Sequence, residues 1–177
     1  MEERAMAIVS RRKFLKVGGG SIAAGAAALA SPGALAEQEA RHAGRVTLPY
    51  PEKPVAVASS MPANEPVEFN YPDDESPCVA IKLGSAVPGG VGPESDIVAF
   101  STQCTHKGCI VHYDAQTRNF KCPCHFSMYD CEKGGQMIIG QSTTDMPSII
   151  LSYDASDDSV TAIGVNGLIY GRQANTL

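Results

Sequence analysis

The sequence predicts an all-β domain, an antiparallel sandwich or barrel of about nine or ten short strands. Three observations carry that expectation. Glycine and proline are abundant, 17 and 12 of 177 residues, while aromatics are 6% and tryptophan is absent, a composition of turns more than of a helical bundle. Apolar residues come in short runs, some alternating with polar ones at the strand period of two. No convincing amphipathic helix appears. The length suits one domain, and 44% hydrophobic with 19% charged residues suits a folded chain.

In chain order, residues 1–36 read as an address. Five basic groups stand there against two acids (net +3), leaving nine against seventeen (−8) in the rest. Ser10-Arg11-Arg12-Lys13-Phe14-Leu15-Lys16 precedes a run from Val17 to Ala36 with eight Ala, five Gly and only four large aliphatics. The run ends Ala34-Leu35-Ala36, an A-x-A cleavage pattern. The S-R-R-x-F-L-K string resembles a twin-arginine export signal. That expects cleavage after Ala36, a mature chain from residue 37 to residue 177, and a periplasmic location. The alternative is a retained anchor: the run has the length to span a bilayer, but its Gly/Ala content and Pro32 make it weakly hydrophobic. A net charge of −5 excludes nucleic acid as a partner class, since phosphate binding needs a basic surface.

Residues 37–54 form a polar lead-in. Strands are then expected at Val55–Ala58, around Val67, Phe69 and Tyr71, and at Cys78–Leu83, Ile97–Phe100, Ile110–Tyr113, Asn119–Lys121, Met137–Ile139 and Ile149–Tyr153. Turn signals lie between them at Pro72-Asp73-Asp74, Pro88-Gly89-Gly90 and Asp157-Asp158. Val160–Val165, Asn166-Gly167 and Leu168–Tyr170 read as a hairpin with a type I′ turn.

The chemistry is concentrated between residues 102 and 131. Two clusters, Cys104-Thr105-His106-Lys107-Gly108-Cys109 and Cys122-Pro123-Cys124-His125-Phe126-Ser127, flank a segment that reads as two strands around a turn at Asp114–Thr117. A hairpin there brings both clusters to one end. Two Cys and two His could hold zinc, making the chain a non-redox interaction module, but C-x-H with C-x-x-H is an odd zinc-finger spacing. Disulfides alone would suit an exported chain, yet leave the matched histidines unexplained. The pattern of C-x-H, fifteen residues and C-x-x-H, with one further cysteine per cluster, resembles that of Rieske [2Fe–2S] proteins, in which two histidines replace two cysteines on one iron.

That resemblance implies a Rieske-type fold with a two-loop cluster-binding subdomain. One [2Fe–2S] cluster would be held by Cys104 and Cys122 on one iron and by His106 and His125 on the other, with Cys109 and Cys124 joined as a disulfide. Ser127 and Tyr129, two and four residues after His125, would donate hydrogen bonds to a bridging sulfide and to the Cys104 sulfur, raising the potential. Neutral imidazoles in place of thiolates make the oxidised centre formally neutral, so an added electron costs less, and such centres span about −150 to +300 mV. The centre has no open coordination position, so none of these residues is catalytic. His42, in the lead-in, and His112, in a strand, are expected to be no ligands. Cys78 and Cys131 are buried thiols or a second disulfide.

Beyond the cluster, Cys122–Asp130, Glu132-Lys-Gly-Gly-Gln-Met-Ile-Ile-Gly-Gln and Gly167-Leu-Ile-Tyr-Gly-Arg-Gln-Ala-Asn resemble the small subunit of arsenite oxidase, as does the leader. That implies a heterodimer with a large molybdopterin/[3Fe–4S] subunit that carries the arsenite site. Electrons would pass through this chain to a periplasmic cytochrome c or a cupredoxin. The alternative is the Rieske subunit of a quinol-oxidising cytochrome bc complex. Those proteins usually carry Gly where Phe126 stands.

Overall fold

The computed structural model describes residues 49–176; the leader and His42 lie outside them. Ten strands form two antiparallel sheets. The larger sheet holds β1 (Lys53–Val57), β2 (Pro66–Asn70), β3 (Pro77–Lys82), β4 (Ile97–Ser101), β9 (Ser148–Asp154) and β10 (Ser159–Asn166) in the order β1-β10-β9-β4-β3-β2. The smaller holds β5 (His112–Asp114), β6 (Asn119–Lys121), β7 (Met128–Asp130) and β8 (Gln136–Ile139) in sequence order. Among the described residues the helical elements are two 3-10 turns, Ala58–Ser60 and Cys131–Lys133.

β3 and β4 are where the two sheets meet, and their composition shows it. Both are almost continuously apolar and buried, and successive side chains point to opposite faces. Cys78, Ala80, Ile97 and Ala99 face a first core with Ile149, Leu151, Val160 and Ala162. Val79, Ile81, Val98 and Phe100 face a second core with Phe120 and Tyr129 of the smaller sheet and with Val111 and Met146 of the segments that lead into and out of it. Val55 of β1 and Val67 and Phe69 of β2, from opposite edges of the larger sheet, pack on the same first core, so that sheet curls towards a barrel.

The smaller sheet is an insertion into the larger. Chain 102–147 leaves after β4 and returns before β9, where Phe100 pairs with Ser148 and Ser101 N–H donates to Pro147 O at 3.0 Å. Its strands bring residues 104–109 and 122–127 side by side.

The expected Leu168–Tyr170 strand is absent. β10 is paired along its length with β9 and over residues 159–162 with β1. Gly167 instead turns the chain at φ +97°, and Asn175 receives it. The Asn175 side chain accepts from Ile169 N–H (2.9 Å) and donates to Gly167 O (2.7 Å) and Tyr50 Oη (3.1 Å). Arg172 holds the tail to Asp73 and Ser76 of the β2–β3 turn. The G-L-I-Y-G-R-Q-A-N string is thus a structural clasp. Two further differences concern short strands. β5 begins at His112, Ile110 forming a single bridge with Gln103, and β7, which was not expected, is a three-residue strand with only Tyr129 buried.

Candidate metal centre

The two Cys/His segments fold alike. In the first loop, Cys104 N–H donates to Cys109 O (2.8 Å) and Gly108 N–H to Cys104 O (2.8 Å). In the second, Cys122 N–H donates to Ser127 O (2.8 Å) and Phe126 N–H to Cys122 O (3.1 Å). The fifth residue of each loop is left-handed, Gly108 at φ +72° and Phe126 at φ +58°. Each closure holds the first residue's sulfur inward and turns the middle of the loop outward.

Cys104 and Cys122 are buried, 1% and 3% exposed, and unoxidised. His106 and His125 lie farther out, their rings edge to face with centroids 4.7 Å apart. His106 is half-buried and His125 exposed. His106 Nδ1 is buried without a hydrogen-bond partner. An orphaned imidazole nitrogen is costly unless something binds it, so this atom fits a metal. Cys109 and Cys124 form a disulfide joining the loops. Cys122 Sγ lies within 4.8 Å of both bridged sulfurs; with two of these three tied to each other, the trio is no donor set of its own.

The electrostatics suit a thiolate at Cys104. Burial works to raise its pKa, but hydrogen bonds from the Tyr129 hydroxyl, His106 N–H, Ser142 and Cys122 outweigh that and hold it below the usual thiol value. Burial first, and then the Cys104 sulfur, push Tyr129 up, so its hydroxyl stays protonated and able to donate across the 3.2 Å to that sulfur. Ser127 Oγ accepts from Gln141 N–H, Ser142 N–H and Ser142 Oγ, each at 3.1 Å. Ser142 and Thr105, both bonded to the Tyr129 hydroxyl, are site residues that the sequence did not single out. Ser142 belongs to no ligand motif, and nothing in the run Ser142-Thr143-Thr144 marks it. Gly140 lets this third loop approach, since a Cβ there would lie 2.3 Å from Ser127 Cα.

The remaining candidates sit elsewhere. His112 is exposed on β5, opposite Lys121. Cys78 and Cys131 are both free and lie in different cores, so they form no second disulfide. Burial pushes the Cys78 thiol up to about 12 and raises Cys131 further. A groove of about 540 Å³ between β2, β3 and β5, lined by Glu68, Cys78, His112 and Tyr113 among others, includes neither His106 nor His125.

Residues 52–149 match the model of the Rieske [2Fe–2S] domain. The chain is 38% identical to the iodate reductase subunit IdrB of Denitromonas iodatirespirans over 96% of this chain and 88% of that one. It is 37% identical to the same-named subunit of a Pseudomonas strain over 93% and 83%. The soluble domain of the Rieske protein II (soxF) of Sulfolobus acidocaldarius superposes with a TM-score of 0.60 at 25% identity, over 71% of this chain and 83% of that one.

Proposed function

This chain belongs to the Rieske [2Fe–2S] domain family, and from that premise we propose that it is the electron-transfer subunit of an exported molybdopterin oxidoreductase acting on a small oxyanion. Its cofactor is one Rieske cluster. Cys104 and Cys122 would hold one iron as thiolates, and His106 and His125 the other. When bound, the cluster supplies one-electron carriage at a site with no free coordination position. The observation that carries the reading is His106 and His125 set edge to face, one with an unpartnered buried nitrogen, beside two buried thiols.

The chain's own residues define the rest. The Tyr129 hydroxyl lies 3.2 Å from the Cys104 sulfur, within reach to donate to it and so to favour negative charge there. The Cys109–Cys124 bridge holds one loop against the other. His125 and Phe126, exposed at the outer end of the second loop, give a redox partner its shortest approach. No substrate chemistry is assigned to this chain; the oxyanion is converted on the partner.

The arsenite oxidase reading rests on the G-Q-M-I-I-G-Q and G-L-I-Y-G-R-Q-A-N strings. There electrons enter from a large molybdopterin/[3Fe–4S] subunit and leave to a cytochrome c or cupredoxin. A second reading, iodate reduction, is favoured by the near full-length similarity to iodate reductase subunits, and it reverses the electron flow. Copurification with the large subunit separates them. Arsenite-dependent reduction of cytochrome c supports the first, and iodate consumption with a reduced dye supports the second. Zinc in place of iron in protein made with intact cluster assembly refutes both. Export by the twin-arginine route is part of the proposal. Replacing Arg11 and Arg12 by Lys should strand the subunit and its partner in the cytoplasm, and normal periplasmic delivery would refute that route.

A further inference from the structure

Four hydroxyl groups from three segments form one hydrogen-bonded chain beside Cys104. Thr105 Oγ1 lies 3.0 Å from Tyr129 Oη, Tyr129 Oη lies 2.5 Å from Ser142 Oγ, and Ser142 Oγ lies 3.1 Å from Ser127 Oγ. Ser142 is 4% exposed and Ser127 and Tyr129 are fully buried, so no bulk water completes these bonds. Each hydroxyl has one proton to give, and the distances make those protons compete.

Thr105 gives its proton to Thr144 O at 3.0 Å. Tyr129 therefore has three acceptors for one proton: Thr105 Oγ1, Ser142 Oγ and, at 3.2 Å, Cys104 Sγ. Ser142 has two hydroxyl acceptors for its own, Ser127 and Tyr129. If Ser142 donates to Ser127, its lone pair faces Tyr129 and draws the tyrosine proton away from sulfur. If Ser142 donates to Tyr129, the tyrosine proton is free for Cys104. Ser127 gives up little in the second arrangement, because the Gln141 and Ser142 backbone N–H groups still bond its oxygen.

We propose that Ser142 is a positioning residue for electron transfer, setting the direction in which Tyr129 donates and so coupling Tyr129 and Ser127 into one unit. This rests on the ligand assignment proposed above. When one electron arrives and negative charge grows on the Cys104 sulfur, Ser142 turns its proton from Ser127 to Tyr129, and Tyr129 turns its own to Cys104. One electron is taken up, no bond between heavy atoms forms or breaks, and no proton enters or leaves. The extra donor polarises the tyrosine hydroxyl and strengthens its bond to sulfur. Without Ser142 the tyrosine proton goes to the nearer oxygen of Thr105.

The test is the midpoint potential of the cluster-loaded protein in a double-mutant cycle. Ser142→Val removes the hydroxyl and Ser142→Thr keeps it at matched shape. Val should lower the reduction equilibrium constant threefold to tenfold, about 30 to 60 mV at about 59 mV per factor of ten, while Thr stays within twofold of wild type. Combining Ser142→Val with Tyr129→Phe should lower the potential no further than Tyr129→Phe alone. If valine prevents loading, Ser142→Ala runs the same cycle with a smaller side chain. Equal potentials in the hydroxyl-bearing and hydroxyl-free variants, or additive shifts in the double variant, overturn the proposal. Wild-type protein without two iron and two sulfide would instead refute the ligand assignment; loaded proteins with additive shifts refute only the role of Ser142.

Discussion

Gly108 and Phe126 are counterparts, the fifth residues of two loops closed by the same pair of backbone hydrogen bonds, and both are left-handed. Their surroundings are opposite. The Tyr170 ring covers Gly108 so closely that a Cβ there would lie 2.5 Å from its Cδ1, whereas Phe126 is 78% exposed. Gly108→Ala should therefore destabilise the loaded protein by about 1–3 kcal/mol through overpacking and an unfavourable φ. Tyr170→Ala in the same chain should recover part of that loss. Phe126→Gly should be near neutral in a urea titration, because release of a left-handed bulky residue, about 1–2 kcal/mol, offsets the added freedom of the unfolded chain. A loss above about 2 kcal/mol in that variant would show that the ring packs against something.

The Cys109–Cys124 bridge spans a sequence separation of 15, worth about 3 kcal/mol in the chain-entropy view. It ties the cluster loops, while the first core lies in the larger sheet. With both cysteines replaced by Ala, visible absorbance should be lost at lower denaturant than far-UV circular dichroism. Coincident losses would show that the bridge supports the whole fold.

Ser127→Ala and Tyr129→Phe should each lower the midpoint potential by several tens of millivolts with the cluster fully loaded. Hydrogen bonds to charged groups contribute about 1.5–3 kcal/mol, and only the difference between oxidised and reduced states counts, at about 59 mV per factor of ten. Voltammetry with potentials unchanged in both variants would remove these hydroxyls from any tuning role.

Two carboxylates give the fold an acid limit. A hydrogen bond from Lys121, aided by Gln116 and Thr117 N–H, lowers Asp114 from 3.8 to about 2. A hydrogen bond from Arg172 lowers Asp73. Depressed folded values mean that this stabilisation is complete above the unfolded pKa and is lost as pH falls through the folded one. Thermal stability should therefore decline below about pH 4. Asp114→Asn and Asp73→Asn should narrow the gap in melting temperature between pH 6 and pH 3; an unchanged gap would show that neither ion pair survives in solution.

Much of this was readable from residues alone, for physical reasons that differ from part to part. β3 and β4 announced themselves as apolar runs because both of their faces are covered. The ligand candidates lie within two six-residue segments, so local spacing was enough to find them. β7 escaped notice because three residues with one buried side chain carry no periodicity. Leu168–Tyr170 misled because Asn166-Gly167 is a sound hairpin signal, and only the grip of Asn175 on Ile169 N–H and Gly167 O directs the chain elsewhere. Ser142 could not be found at all, since its role comes from a loop that Gly140 brings against Ser127.

The insertion of residues 102–147 between paired neighbours, with Phe100 opposite Ser148, has a consequence for modularity. A segment whose ends are adjacent can be lengthened, exchanged or transplanted without moving the strands that flank it. The larger sheet then serves as a socket. A graft of that module calls for two neighbouring antiparallel strands with an apolar face like that of Val79, Val98 and Phe100, and for a counterpart of the Tyr170 ring that covers Gly108.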